Sequence, residues 1–301
     1  MRSPVLACID GSECAAAAAE WAAREAGLRG VALRLLHVVP RLPGTAVPVA
    51  AKDHVREIGA QLVRRTVEDL AGRYPDLDVE GAQSEGAEAD AALDAAARDA
   101  GLLVAGTRGA GGFRDLAVGS TALRVAAAAP CPVVLVPPRP GTFPDGPLAG
   151  RDAPRVVLGF DAHHPVGEAA DFAFSAAALR SATLRVVQAW VLPAESVSPR
   201  SFVVTEEDRA TWEDREVLDL SDAVRPWQEK YPQVRAALDL RLLHPAEALL
   251  NASRDAELLV VGRCAEAPPA GGRLGPVAHA VLHHIRCPVA VVPPGAAADQ
   301  P

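Results

Sequence analysis

The sequence predicts an α/β protein made of two tandem, doubly wound parallel sheets of about five strands each. Three observations carry that prediction. The chain has 301 residues, room for two domains of ordinary size, and 50% of them are apolar. Short apolar runs alternate with longer helical patterns along its whole length. The order of those segments is written twice, which sets predicted domains at 1–138 and 155–294, with a Pro- and Gly-rich linker at 139–154.

In the first copy, residues 5–9 form a strand closed by Asp10-Gly11-Ser12. An Ala-rich helix is predicted over 13–29 and a second strand over 33–39. Val55, Ile58, Leu62, Thr66 and Leu70 recur at three- and four-residue steps, so an amphipathic helix is predicted over 52–73. A strand at 77–82 and a helix at 87–100 follow, then an apolar strand at 102–105 that ends in Gly106. A helix opening at Gly119-Ser120 and a strand led by Cys131-Pro132 complete the copy.

The second copy repeats this order. Its strand at 155–160 is closed by Asp161-Ala162-His163, and Pro165 is expected in the first turn of a helix over 165–180. A strand at 184–191 leads to an acidic helix over 206–230, which Pro226 is expected to end or kink. Elements at 234–243, 245–255 and 258–261 follow, the last ending in Gly262, and Cys287-Pro288 leads the closing strand. The offset between copies grows from 151 to 156 residues, so five residues were gained in a surface connection. The closing runs at 133–136 and 289–292 are candidates for edge-to-edge pairing of the two copies, a pseudo-dimer within one chain, and a homodimer is open.

Composition removes several classes of function. There are 38 acidic and 30 basic residues, a net charge of −8, and neither copy is basic. Broad nucleic-acid or anionic-membrane binding is therefore not expected. The only lysines are Lys52 and Lys230, and neither follows a glycine, so the phosphate loop ending in Gly-Lys-Ser/Thr is absent. The five cysteines, Cys8, Cys14, Cys131, Cys264 and Cys287, form no C-x-x-C pair and read as reduced thiols. No apolar run reaches the ~18 residues of a membrane span, and no leader pattern is read at the start. A cytoplasmic location is the expectation.

The carboxyl ends of the first and fourth strands are the places to look for a ligand in this fold. Gly106-x2-Gly109-x9-Gly119-Ser120 lies there. Glycines let backbone N–H groups approach a phosphate, and a helix opening favours negative charge. Ser120 and Thr121 add hydroxyls, and Arg108 and Arg114 add charge. Spacing alone supports either this cradle or a Gly-rich loop with Ser120 as a helix cap.

Residues 5–12, Leu35-Leu36-His37-Val38-Val39, the Gly106–Ser120 spacing and Ala129-Pro130-Cys131-Pro132-Val133 together resemble the universal stress protein family in its tandem form. The resemblance implies an adenine nucleotide alpha hydrolase-like fold and an ATP- or AMP-binding subclass, with Mg2+ accompanying the nucleotide. It implies that Gly106, Gly109, Gly119, Ser120 and Thr121 form the phosphate side, with Arg108 beside them. Asp10 would lie at the base and ribose end, Val38 at the adenine, and Cys8 and Ala105 at neighbouring positions. It implies a nucleotide-linked regulator in stress adaptation, acting on a protein partner that the sequence does not name. Two other readings stand beside it: a scaffolding module with a vestigial loop, and a slow ATP hydrolase or adenylate-using transferase. No G-x-S-x-G elbow or mechanistically spaced carboxylate pair is present, so no catalytic residue is assigned.

The second copy keeps the spacing and loses the chemistry. Ala265 stands for the second glycine and Pro276 for the serine, so this copy is expected to bind nucleotide weakly or not at all. His279, His283 and His284 share the last helix without an obvious third ligand, and no metal is assigned. Trp190, Trp212 and Trp227 read as core or domain contacts.

Overall fold

The computed structural model describes residues 3–39, 48–85, 89–109, 117–138, 155–191, 206–263, 274–284 and 286–295. The predicted linker at 139–154 lies outside them, as do Arg114, Cys264 and Ala265. In chain order the first copy comprises β1 (Val5–Cys8), α1 (Glu13–Arg29), β2 (Leu33–Val38), α2 (Val49–Arg73) and β3 (Val79–Ser84), then α3 (Ala89–Ala97), β4 (Leu102–Gly106), α4 (Ser120–Ala128) and β5 (Val133–Val136). The second comprises β6 (Arg155–Gly159), α5 (Gly167–Leu179), β7 (Thr183–Trp190), α6 (Glu206–Lys230) and β8 (Ala236–Leu242), then α7 (Pro245–Ala252), β9 (Leu258–Gly262), α8 (Pro276–His284) and β10 (Val289–Val292).

The ten strands make one sheet in the order β3-β2-β1-β4-β5-β10-β9-β6-β7-β8. Within each copy all pairings are parallel, and the copies meet where β5 and β10 run antiparallel, with Ala290 opposite Val134. The expected edge-to-edge pairing of 133–136 with 289–292 is therefore the seam of the molecule. The inner strands are apolar without alternation, because helices cover both faces. Side chains of β5 and β10 alternate between two core layers, each continuous across the seam. Val134, Val136, Ala290 and Val292 enter the α1/α5 layer, while Val133, Leu135, Val289 and Val291 enter the opposite one.

Helix α1 begins at Ser12, whose Oγ accepts the Ala15 N–H at 3.1 Å. It ends at Gly30, whose φ of 62° gives the left-handed turn that glycine adopts without strain. Its buried face, Ala18, Ala19, Ala22, Ala23 and Ala26, is small enough to lie close on the sheet. Two expectations are corrected. Pro226 does not end α6 but lies inside it, at the twenty-first of its 25 residues. Pro165 is not in the first turn of α5, since Val166 caps that helix and Gly167 opens it.

Candidate functional site

Strand order reverses between β1 and β4 in the first copy and between β6 and β9 in the second. Each reversal leaves a crevice at the strand carboxyl ends. In the first crevice Asp10 follows β1 and folds back on itself, its Oδ1 accepting the Ser12 N–H at 2.9 Å. Gly11 carries the φ of +81° that this turn needs. The Ser12 hydroxyl also donates to the Arg108 carbonyl at 3.4 Å, which ties the end of β1 to the start of the Gly-rich loop. A Cβ on Gly109 would stand 2.7 Å from Asp10 Oδ2, so the loop backbone rests against that carboxylate. On the far side of the loop, the Gly119 N–H donates to the Thr107 carbonyl at 2.7 Å.

The structure thus brings Asp10, Arg108, Gly109 and Gly119 to one place. Ser120 is the first helical residue of α4 and is exposed, with Thr121 half-buried behind it. The cap is Gly119, not Ser120, so the reading of Ser120 as a helix cap is excluded. Gly119 has no side chain to satisfy the first-turn amides of α4, and no side-chain hydrogen bond caps the helix. Cys8, Val38 and Ala105 pack in the core layer on the α3/α4 face, so they share one side of the crevice floor. Burial, with the Asp10 charge and Cys131 adding to it, pushes the Cys8 thiol up to about 12. Cys8 therefore stays protonated near neutral pH and is no nucleophile there.

Gly106 has a second reason to be bare. A Cβ there would meet the Cys14 backbone at 2.8 Å, so the packing of α1 on β4 by itself requires glycine. Gly262 repeats this against Val166, also at 2.8 Å. His37 is structural: it is buried, and its Nδ1 lies 2.9 Å from the Ile9 carbonyl, fixing the strand just before Asp10.

The second crevice repeats the turn and changes its contents. Asp161 Oδ1 accepts the His163 N–H at 3.0 Å, matching the Asp10–Ser12 bond. Gln188, where the first copy has His37, accepts the Ala162 N–H at 3.1 Å and donates to Glu216 at 2.6 Å. The other oxygen of Glu216 lies 3.3 Å from His163 Nε2. Helix α8 opens on Pro276, which has no N–H to offer. The Arg263 guanidinium, just after Gly262, crosses the seam and donates to the Ala129 carbonyl at 2.8 Å. The second loop is thus partly engaged in joining the copies.

Sequence reasoning missed Gln188, Glu216 and Arg263. The repeat offset pointed to Gln188 through His37, whereas nothing local marks the other two. The His279 and His283 rings lie with centres 4.7 Å apart and planes tilted by 56°, and burial and the neighbouring imidazoles hold His283 below its ordinary value. No cluster of three or more metal-ligating side chains occurs among the described residues. No described helix is long and apolar enough to cross a membrane.

Comparison with known proteins agrees with this architecture. The sequence profile of the universal stress protein family matches twice, at residues 1–137 and 153–293. A universal stress protein of Mycobacterium tuberculosis is 31% identical over 310 residues, covering 94% of this chain and 92% of that protein. One from Mycolicibacterium smegmatis is 28% identical, covering 96% and 97%. The crystal structure of a universal stress protein from Archaeoglobus fulgidus superposes with a TM-score of 0.68 at 15% identity, covering 99% of this chain and 98% of that one. Two copies of one profile, laid over the two halves of a single twofold-repeated sheet, establish that the chain belongs to the universal stress protein family.

Proposed function

We propose that the first copy binds an adenine nucleotide, ATP with its Mg2+, and that the protein acts as a nucleotide-linked regulator in stress adaptation. The observation that carries this is the uncapped start of α4. No side chain caps its first-turn amides, and the residues that flank the loop are tied down, Arg108 to Ser12 and Gly119 to Thr107. A phosphate chain supplies the acceptors those amides lack, and the helix dipole favours its charge. Cys8, Val38 and Ala105 offer the apolar floor that a purine ring needs. The observations on this loop concern anion binding, so the reading is one of binding rather than rapid hydrolysis. The second copy has exchanged its cradle for the Gln188–Glu216–His163 network and the Arg263 cross-link. Reduced thiols at Cys8, Cys14, Cys131 and Cys287 accord with a cytoplasmic setting.

Calorimetric titration with MgATP tests the proposal. One site per chain is expected, at the first copy. Two equal sites would remove the asymmetry between copies, and no heat or saturation at all would remove the nucleotide.

A further inference from the structure

We propose that the open edge of β8 is a pairing surface for a second copy of this chain, which would join two ten-stranded sheets into one. Strand β8 ends the sheet order, and among the described residues only β7 pairs with it. The Leu184 N–H donates to the Arg235 carbonyl at 3.0 Å. In a parallel ladder alternate residues face the same neighbour, so the backbone groups of Ala237, Asp239 and Arg241 also turn toward β7. Those of Ala236, Leu238, Leu240 and Leu242 turn outward, to the free edge. These outward positions carry the apolar side chains, and Leu238 and Leu242 remain 37% and 42% exposed.

The opposite edge of the sheet is finished differently. In the first copy Leu35 pairs with Gly81, and in the second Val186, one repeat later, pairs with Leu238. At Gly81 the helix comes down close, since a Cβ there would collide with Val63 and stand 2.8 Å from Val67. Leu238 replaces that glycine, and its face stays partly open. Strand β3 also carries Glu80, Gln83 and Ser84, the polar finish that discourages edge pairing. Strand β8 has three leucines in alternate positions instead.

A second copy fits this edge by charge as well as by shape. An antiparallel pair with twofold symmetry places its axis either on a residue whose N–H and C=O point outward, here Leu238, Leu240 or Leu242, or on an inward-pointing one between them, where Asp239 would face Asp239 or Arg241 would face Arg241. Centred on Leu240, it sets Leu238 against Leu242 of the second copy, and Asp239 against Arg241, twice over. Centred on Leu238 it sets Arg241 against Arg235; centred on Leu242 it sets Arg241 against Leu243 and Asp239 against Pro245. Only the middle register joins opposite charges. Within its own chain Asp239 already accepts from Arg185 and Arg241 at 2.6 Å each, and Arg241 is still 45% exposed and open to a facing carboxylate.

The test is sedimentation velocity on the full chain across a range of concentrations, with Arg241→Asp and Leu240→Cys variants. The wild type should approach twice its 31.3 kDa mass as concentration rises. Arg241→Asp turns two opposite-charge pairs into two like-charge pairs, so self-association should weaken about tenfold or more while circular dichroism stays unchanged. Under mild oxidation Leu240→Cys should form a disulfide-linked dimer, because directly opposed residues bring their Cβ atoms within about 5 Å. Glu80→Cys on the other edge, and the wild type, should not. A wild type that stays monomeric overturns the proposal. So does a dimer that survives Arg241→Asp and leaves Leu240→Cys unlinked, since its contact then lies elsewhere.

Discussion

Three glycines of one loop are bare for three different reasons. At Gly106 the neighbour is the Cys14 backbone, 2.8 Å from where a Cβ would stand, so glycine there serves helix packing. At Gly109 the neighbour is the Asp10 carboxylate at 2.7 Å. At Gly119 the nearest atom is the Thr107 carbonyl oxygen, an ordinary 3.7 Å away, and the backbone φ of −78° suits any residue. The fold therefore does not require glycine at 119, and the proposed phosphate site offers a reason for it. Spacing in the sequence reports only that Cβ atoms are missing; it could not separate these causes, which depend on what lies opposite. Gly119→Asp exploits the difference. The new carboxylate would cap α4 and stabilise the fold by a few tenths of a kcal/mol. It would also fill the proposed anion site with negative charge, which should weaken MgATP binding at least tenfold. Thermal unfolding and calorimetric titration of this one variant read the two effects separately, and unchanged affinity would place the phosphates away from α4.

Among the elements, those with strong local patterns were legible and those set by distant contacts were less so. The periodic run from Val55 to Leu70 marked α2, although the helix starts earlier, at Val49. The strand expected at 77–82 runs from Val79 to Ser84, because its span is set by register with β2 rather than by its own weak pattern. Pro226 was expected to end or kink α6, yet the helix runs on to Lys230, because proline removes only one hydrogen bond and Leu220, Val224 and Trp227 pack the helix down on either side of it. In the candidate site, Asp10 and the glycines were readable from spacing, whereas the Gln188–Glu216 pair was not, since it joins a strand to a helix 28 residues later. Gly59 shows how such a contact overrides propensity. Alanine is the better helix former by about 1 kcal/mol. A Cβ at position 59, however, would stand 2.6 Å from His37 Cδ2, a buried ring held by the Ile9 carbonyl. Overpacking of this kind costs about 1–3 kcal/mol. Gly59→Ala should therefore lower the stability measured by urea unfolding, by up to about 2 kcal/mol once the helix-propensity gain is subtracted. A gain would mean that the ring can move aside without loss.

At the scale of the whole molecule, the apolar closing strands gave the seam away in the sequence, but the charges that lock it did not. Glu25 of α1 is 1% exposed and accepts hydrogen bonds from Arg29 at 2.6 Å and from Arg180, which ends α5 of the other copy. The Arg180 guanidinium also lies 5.8 Å from the centre of the Trp21 ring. No local pattern announces partners 155 residues apart on different helices. A buried carboxylate with two guanidiniums repays its desolvation only while all three remain together. Glu25→Ala leaves Arg180, with a side chain only 9% exposed, beside an empty site, and should cost about 3–5 kcal/mol. Both core layers run through the seam without a break, so the loss should appear as one cooperative unfolding transition shifted as a whole. Two separated transitions in the variant would mean that Glu25, and not the shared sheet and core, is what makes the two copies unfold together.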